Sequence, residues 1–590
     1  TTRGFAVVGA RARLFGGDAS FEGGSQADGS VRFTGQGTVS AEGLRKVDAA
    51  AGALARAAAV MRGQTSYSAT LGFVNGHAEV GVTSQLAGLA LDLPAPLNKA
   101  ADTPLALRFQ TRVDPASTAP GETPRDTVRF ELDKVVQAQY VRDISGAEPR
   151  VLRGGIGVME PAPEPASGVA ASINLKTFVL DEWAAADTVL EPGDGGARGV
   201  HDGYAPETIG LRVQELVAGP RRLTRVSAGL SREAGVWRAS LDADQLNGYV
   251  EYRPPSRRGA ATAGGRVFAR LSRLSLPKSD VEQVESLLDQ QPSSLPALDV
   301  VVEDFELRGK KLGRVEIQAV NRSTLQGRDS VRDWELSKFN ISTPEAQFTA
   351  IGHWSTTGGA SSVTRRSVMD FNLNVSNGGA LLDRLGTEKA VRGGKGRLSG
   401  QIEWLGSPFA PDYPSLAGQI KVEIDAGQFL KVDPGAARLL GVLSLQSLPR
   451  RLSLDFRDLF QQGFAFDSIN GDVQIAQGVA KTNNLRMRGV QALVLMEGTA
   501  DIERETQDLR VVVVPEINAG TAALAYAVIN PVIGLSAFLA QAILKKPLTE
   551  AGTREFHVSG PWAEPKVARV DRRSGEDVSS GDTPISLTRP

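Results

Sequence analysis

The chain has 590 residues, 23% of them charged, with 66 Lys plus Arg against 67 Asp plus Glu and a formal net charge of −1. That balance, with no block of one sign, argues against a general nucleic-acid footprint. The absence of cysteine removes disulfides, thiolate nucleophiles and Cys-ligated metals together.

Glycine at 64 residues against 6% aromatics favours many tight turns between short strands. By length the chain could hold about four ordinary domains or one elongated repeat array. The opening TTRGFAVVGARARLFGGD has neither a methionine nor an apolar signal core, so the chain is expected to be a piece of a longer protein whose N-terminal part holds the targeting signal or anchor.

Period-two alternation dominates and predicts half-buried strands at Val128–Asp133, Phe371–Val375, Ile420–Ile424, Leu452–Phe456, Val473–Ile475 and Leu485–Arg488. Helical signals are few. They are an Ala-rich stretch over 44–61, a capping box at Ser279–Glu282 leading into Val284, Leu287 and Leu288, a turn or two over Ala380–Leu385, and a start at Asp433-Pro434 running through Leu443. Linkers are expected at 112–126, 160–168, 188–205, 254–264 and 405–415, and the tail from about 567 reads as disordered.

A loose repeat underlies the strands: one strand reaches a glycine turn, a second follows, and a third ends near another glycine. One copy runs from Leu211 through Gly219, Val226 and Trp237 to Gly248. A second runs from Phe305 through Gly309, Val315 and Trp334 to Gly352 and Trp354, and a third from Phe464 through Gly471, Val473, Leu485 and Gly489 to Gly498. Repeats of about 40 residues suggest modules that stack and share one apolar face. So few helices cannot cover all the apolar strand faces. The sheets either close on each other as sandwiches or curl into an open trough, and the alternation fits both.

Ile517 to Leu544 carries no charged side chain, where about six would be expected at 23%. The stretch is long enough to enter a hydrocarbon layer, but Asn530-Pro531 breaks it, so two short apolar helices are expected in place of one span. Asn530 would cap the second, and Lys545, Lys546 and Pro547 would end it.

The chain shows no marked chemistry. His77, His201, His353 and His557 lie far apart and outside any HExxH spacing. No GxSxG elbow occurs. The runs Gly193–Gly196 and Gly393–Gly396 lack Walker spacing and read as turns. Carboxylates are plentiful, but none stands out as a glycosidase pair.

Several stretches resemble the large AsmA-like proteins of Gram-negative bacteria, of the YhdP type. Ser84–Leu89 followed by Leu91–Leu97 (LDLPAPL) is similar to that family's SxLxGLxxDLPAPL signature, and Arg153–Gly157 (RGGIG) to its next landmark. Leu307–Gly313, Trp334 and Gly352–Trp354 follow the pattern, as do Arg438–Leu452, Leu454–Phe456, Gly463–Asp467, Leu485–Gly489, Val514–Glu516, Asn530–Gly534 and Gly560–Val567. One departure is Ala184–Ala186 with the acidic, Gly-rich insertion to about 200.

The resemblance implies a mainly β fold, an elongated repeating β-groove of curled antiparallel modules with an apolar helical pair near the C-terminus. Its modules would span 1–165, 166–410 and 411–566, the last including helices over 517–545, with a tail at 567–590. It implies a bridge-like phospholipid carrier in the periplasm, held in the inner membrane by a helix outside this chain and reaching toward the outer membrane. No catalytic residue and no cofactor are implied; the ligands are phospholipid acyl chains, with envelope proteins as further partners.

The groove wall is then assigned to Ile420, Val422, Ile424, Leu452, Leu454, Phe456, Phe464, Phe466, Val473, Ile475, Leu485, Met487, Leu509, Val511 and Val513. Membrane contact is assigned to Leu524, Tyr526, Ile529, Ile533, Leu535, Phe538, Leu539 and Ile543 on the terminal helices. Two other readings stand beside this one: a scaffold for outer-membrane assembly that conducts no lipid, and an enzyme acting on envelope glycan or lipid.

Overall fold

A computed structural model describes residues 4–570 apart from 27–29, 47–56, 75, 191–202, 220, 234, 256–264, 278–294, 327–328, 358–363, 388, 409–410, 431–463, 490–491, 516–553 and 564. Two compact units emerge, Thr1–Leu287 with Ser294–Gly309, and Leu288–Ser293 with Lys310–Pro590. Both are mainly β, and the described residues hold 29 strands.

In the first unit β1 (Ala6–Leu14), β2 (Gly17–Ser25), β3 (Val31–Ser40), β4 (Met61–Val74) and β5 (His77–Ser84) pair in chain order, all antiparallel. The short β6 (Leu89–Leu91) turns aside to pair with the start of β4. Then β7 (Leu107–Val113) returns to β5, and β8 (Arg125–Leu132), β9 (Val136–Asp143) and β10 (Arg150–Val158) extend the order.

β11 (Gly168–Val179) runs parallel to β10, and β12 (Thr208–Ala218) parallel to β11. Antiparallel pairing resumes through β13 (Arg221–Glu233), β14 (Val236–Asp242), β15 (Leu246–Arg253) and β16 (Arg266–Leu276), and β17 (Ala297–Leu307) is again parallel.

The second unit is an antiparallel meander from β18 (Lys310–Gln326) to β29 (Lys566–Val570). Its middle strands are β19 (Asp329–Ser342), β20 (Ala346–Thr357), β21 (Thr364–Val375), β22 (Val391–Leu405), β23 (Ala417–Phe429), β24 (Phe464–Ala476), β25 (Val479–Gly489), β26 (Ala492–Asp501), β27 (Thr506–Pro515) and β28 (Arg554–Pro561).

The expectation of purely antiparallel modules is therefore corrected: the sheet is mixed, with parallel steps at β10–β11, β11–β12 and β16–β17. Parallel neighbours need a crossover connection, whereas antiparallel ones close through a hairpin. One of the stretches read as linkers, 160–168, is such a crossover. It explains the Arg153–Gly157 motif. A Cβ on Gly155 would collide with the carbonyl of Pro163, and one on Gly157 with that of Glu160, so the returning chain lies directly on β10. The third repeat copy is also corrected, since Gly471 lies inside β24 and not at a turn.

Helices are short. α1 (Ala41–Arg45) is capped by Ser40, whose Oγ accepts from the Gly43 N–H at 3.1 Å. α2 (Leu180–Leu190), which the sequence pattern did not single out, seats Trp183 flat against Phe178 with ring centroids 6.0 Å apart. α3 (Gly378–Leu385) covers the expected Ala380–Leu385 turns; Asn377 caps it and Gly386 ends it in the left-handed region. Helices expected after Ser279 and Asp433, and the apolar pair over 517–545, lie outside the described residues. No described helix is long and apolar enough to cross a membrane.

Candidate functional site

Strand registers show what alternation alone cannot: which apolar side chains line up across the sheet. In the first unit one row of register partners runs Phe21, Gly35, Ala69, Val82, Phe109, Phe130, Ala138, Ile156, Ala171, Ile209, Leu230, Ala239, Val250, Ala269, Val300, from β2 to β17. Every member is apolar or glycine. A second row lies two residues along, about 7 Å away; it runs Leu107, Leu132, Val136, Val158, Ile173, Leu211, Ala228, Leu241, Gly248, Leu271, Val302.

The opposite face carries Ser20, Gln36, Ser68, Thr83, Arg108, Glu131 and Gln137 in register. The β10–β11 crossover lies on that polar face, because Gly155 and Gly157 alternate with the apolar Ile156 and Val158. The apolar face of β10 is thus left clear of it.

The second unit repeats the arrangement. Ile317, Phe339, Ala350, Phe371, Gly400, Ile420 and Val473 form one row, and Val315, Ile341, Phe348, Leu373, Leu398, Val422 and Gly471 another. Their reverse side is polar throughout: Glu316, Asn340, Thr349, Asn372, Ser399, Lys421, Asp472. Most described side chains on the apolar rows of both units are half-buried, neither sealed by protein nor spread on an open surface.

The wall residues assigned from sequence whose side chains are described fall into three groups. Ile420, Val422 and Val473 lie on these half-buried rows. Phe466, Met487, Leu509, Val511 and Val513 sit in a closed core with Phe429, Ile469, Val494, Met496, Phe556 and Val558, and Ile424 and Leu485 pack on its edge. Ile475 joins a smaller cluster with Trp404 and Leu416, against which the half-buried Ile420 and Val473 also pack. β26 and β27 are buried on both faces, since Leu493, Leu495, Val512 and Val514 are also buried.

Leu452, Leu454, Phe456, Leu524, Tyr526, Ile529, Ile533, Leu535, Phe538, Leu539 and Ile543 lie outside the described residues, as does the side chain of Phe464. The row members missed from sequence, such as Phe109, Phe130, Phe339 and Phe371, carry the same alternation; what was lacking was their register.

Polar chemistry is structural where it is buried. Arg142 grips Asp126 through Nε and Nη2 at 2.9 and 2.5 Å and donates from Nη1 to the Tyr204 hydroxyl at 3.1 Å. The Tyr140 hydroxyl donates to the Tyr204 carbonyl at 3.2 Å, and burial, with Tyr204 beside it, pushes Tyr140 up to about 12. Among the described residues no group of three or more His, Asp or Glu is placed to hold a metal ion.

A family model described as YhdP protein matches residues 3–567, nearly the whole chain. The chain belongs to the YhdP family. A curated relative, the intermembrane phospholipid transporter YhdP of Escherichia coli (strain K12), is 29% identical over 266 residues, 45% of this chain. The aligned part covers only 20% of that transporter. No solved structure matches the chain.

Proposed function

We propose that the chain is part of an intermembrane phospholipid transporter, and that its apolar rows form the floor of a trough along which acyl chains move. The supporting observation is the row from Phe21 to Val300, which has no charged or polar member. A soluble domain seldom leaves so long an apolar surface half-covered unless something amphipathic uses it.

The energetics favour a trough. Moving a two-tailed phospholipid into water exposes about 30 methylenes at roughly 0.8 kcal/mol each, or some 25 kcal/mol. A barrier of that height allows only about 10⁻⁵ to 10⁻⁶ events per second. Apolar rows remove most of that cost while the headgroup stays in water. The chain would act in the periplasm as part of a longer protein anchored in the inner membrane, passing lipid toward the outer membrane with no catalytic step.

Among the wall assignments, Ile420, Val422 and Val473, half-buried on the apolar rows, give the reading its best support. The test is native mass spectrometry of the chain purified from Gram-negative membranes. Phospholipid retained in stoichiometric amounts is expected. A chain that carries none, and none after incubation with phospholipid vesicles, would refute the reading. The scaffold alternative predicts that second result together with copurified envelope protein.

A further inference from the structure

The SxLxGLxxDLPAPL stretch is residues 84–97. It leads into an excursion, residues 85–106, between β5 and β7. Leu86, Leu89 and Leu91 are buried there against Leu132, with Leu97, Leu105, Leu107, Phe130 and Val136 packed around them. The second row of the apolar face is therefore covered at β7–β9. The excursion is fastened to the sheet through β6 and braced from within by Lys99. β6 pairs with β4 through Met61–Leu91, Arg62–Ala90 and Gly63–Leu89. Lys99, buried, donates from Nζ to the carbonyls of Leu86, Leu89 and Ala100 at 2.7, 2.6 and 3.0 Å.

On the other flank of the first row, in the same strands, stand Val128 and Tyr140, then the Asp126–Arg142 pair closed over by Tyr204. Between these two walls only Phe109, Phe130 and Ala138, continued by Ile156, remain of the apolar floor, and Phe130 itself packs against the strap leucines.

We infer that 85–106 is a fixed strap that narrows the trough to a single row at β7–β10, so that this point sets how bulky a lipid can pass. The inference rests on the lipid-transfer reading above. One row is about 7 Å of strand length, against two or more adjacent apolar rows elsewhere on the sheet. A half-buried alanine lies on that row at the narrow point, Ala138, and another lies on it away from the strap, Ala239.

The experiment measures transfer of a fluorescent phospholipid between vesicles of phosphatidylethanolamine and phosphatidylglycerol by the full chain and its variants. Ala138→Trp is expected to slow transfer about tenfold or more, and Ala239→Trp by less than about threefold. Ile156→Trp serves as a second obstruction in the narrow row, should Ala138→Trp fail to fold by circular dichroism. Because the chain has no cysteine, Arg62→Cys with Ala90→Cys gives a clean disulfide lock between paired strands.

A fixed strap predicts unchanged transfer when the lock is oxidised. Equal damage from the Ala138 and Ala239 variants would overturn the inference. So would a lock that stops transfer until reduced, since the strap would then be a moving gate. Wild-type chain that transfers no lipid at all would instead sink the underlying reading.

Discussion

Arg384 on α3 holds Glu345, in the turn between β19 and β20, by two parallel bonds: Nε to Oε2 at 2.8 Å and Nη2 to Oε1 at 2.7 Å. Geometry of this kind is the strong form of a carboxylate pair. Arg384 accordingly holds the Glu345 carboxyl below its usual range. A carboxylate depressed in the fold contributes stability above its unfolded value, about 4.3, and loses it as pH falls through the lower folded value. Hydrogen exchange should therefore show α3 well protected at neutral pH and released selectively once the pH falls below the ordinary glutamate value. Arg384→Gln should abolish that pH step.

The half-buried rows and the closed core make opposite predictions for the same substitution. Val422→Asp places a charge where water can reach it and should cost about 1 kcal/mol or less, while sharply lowering lipid retained by the purified chain. Val511→Asp strands a charge in the core beside Phe556 and Met496, and should cost more than about 3 kcal/mol. Denaturant unfolding and native mass spectrometry on both variants check this. Equal destabilisation would show that Val422 is core, not floor.

Gly418, on β23, has φ of 143°, and a Cβ there would collide with the Gln401 carbonyl of β22. Gly418→Val is expected to destabilise the second unit by about 2–3 kcal/mol. The neighbouring Gln419→Val, exposed on the polar face, should stay within about 0.5 kcal/mol. Urea midpoints compare them directly.

Lys99→Met keeps the stem and deletes the ammonium, leaving the carbonyls of Leu86, Leu89 and Ala100 without that donor. A loss of about 1–3 kcal/mol is expected. Exchange should rise in residues 86–105 first, with β12–β16 unaffected.

Strand alternation was legible because its period of two follows from backbone geometry, and Phe371–Val375, Ile420–Ile424 and Val473–Ile475 are strands as read. Register and strand sense were not, since they depend on contacts far apart in sequence. The parallel steps at β11, β12 and β17 therefore went unforeseen.

The difference between Val422 and Val511 has a local signal in the sequence. Val511–Val514 is an unbroken apolar run, as expected for a strand covered on both sides, whereas Ile420–Ile424 alternates with Lys421 and Glu423. The family resemblance rested on short motifs, and two of them now have physical reasons. The glycines of Arg153–Gly157 make room for a returning chain, and the leucines after Ser84 cover part of an apolar row.

That returning chain has a wider consequence. By routing the Pro163 segment along the wet back of β10, the molecule starts its next strand in the same direction as β10 and puts none of the returning segment on the greasy front. Strands of either direction can then be added one after another. The count of strands, and with it the distance a passenger could be carried, is free to change without rebuilding the lane itself.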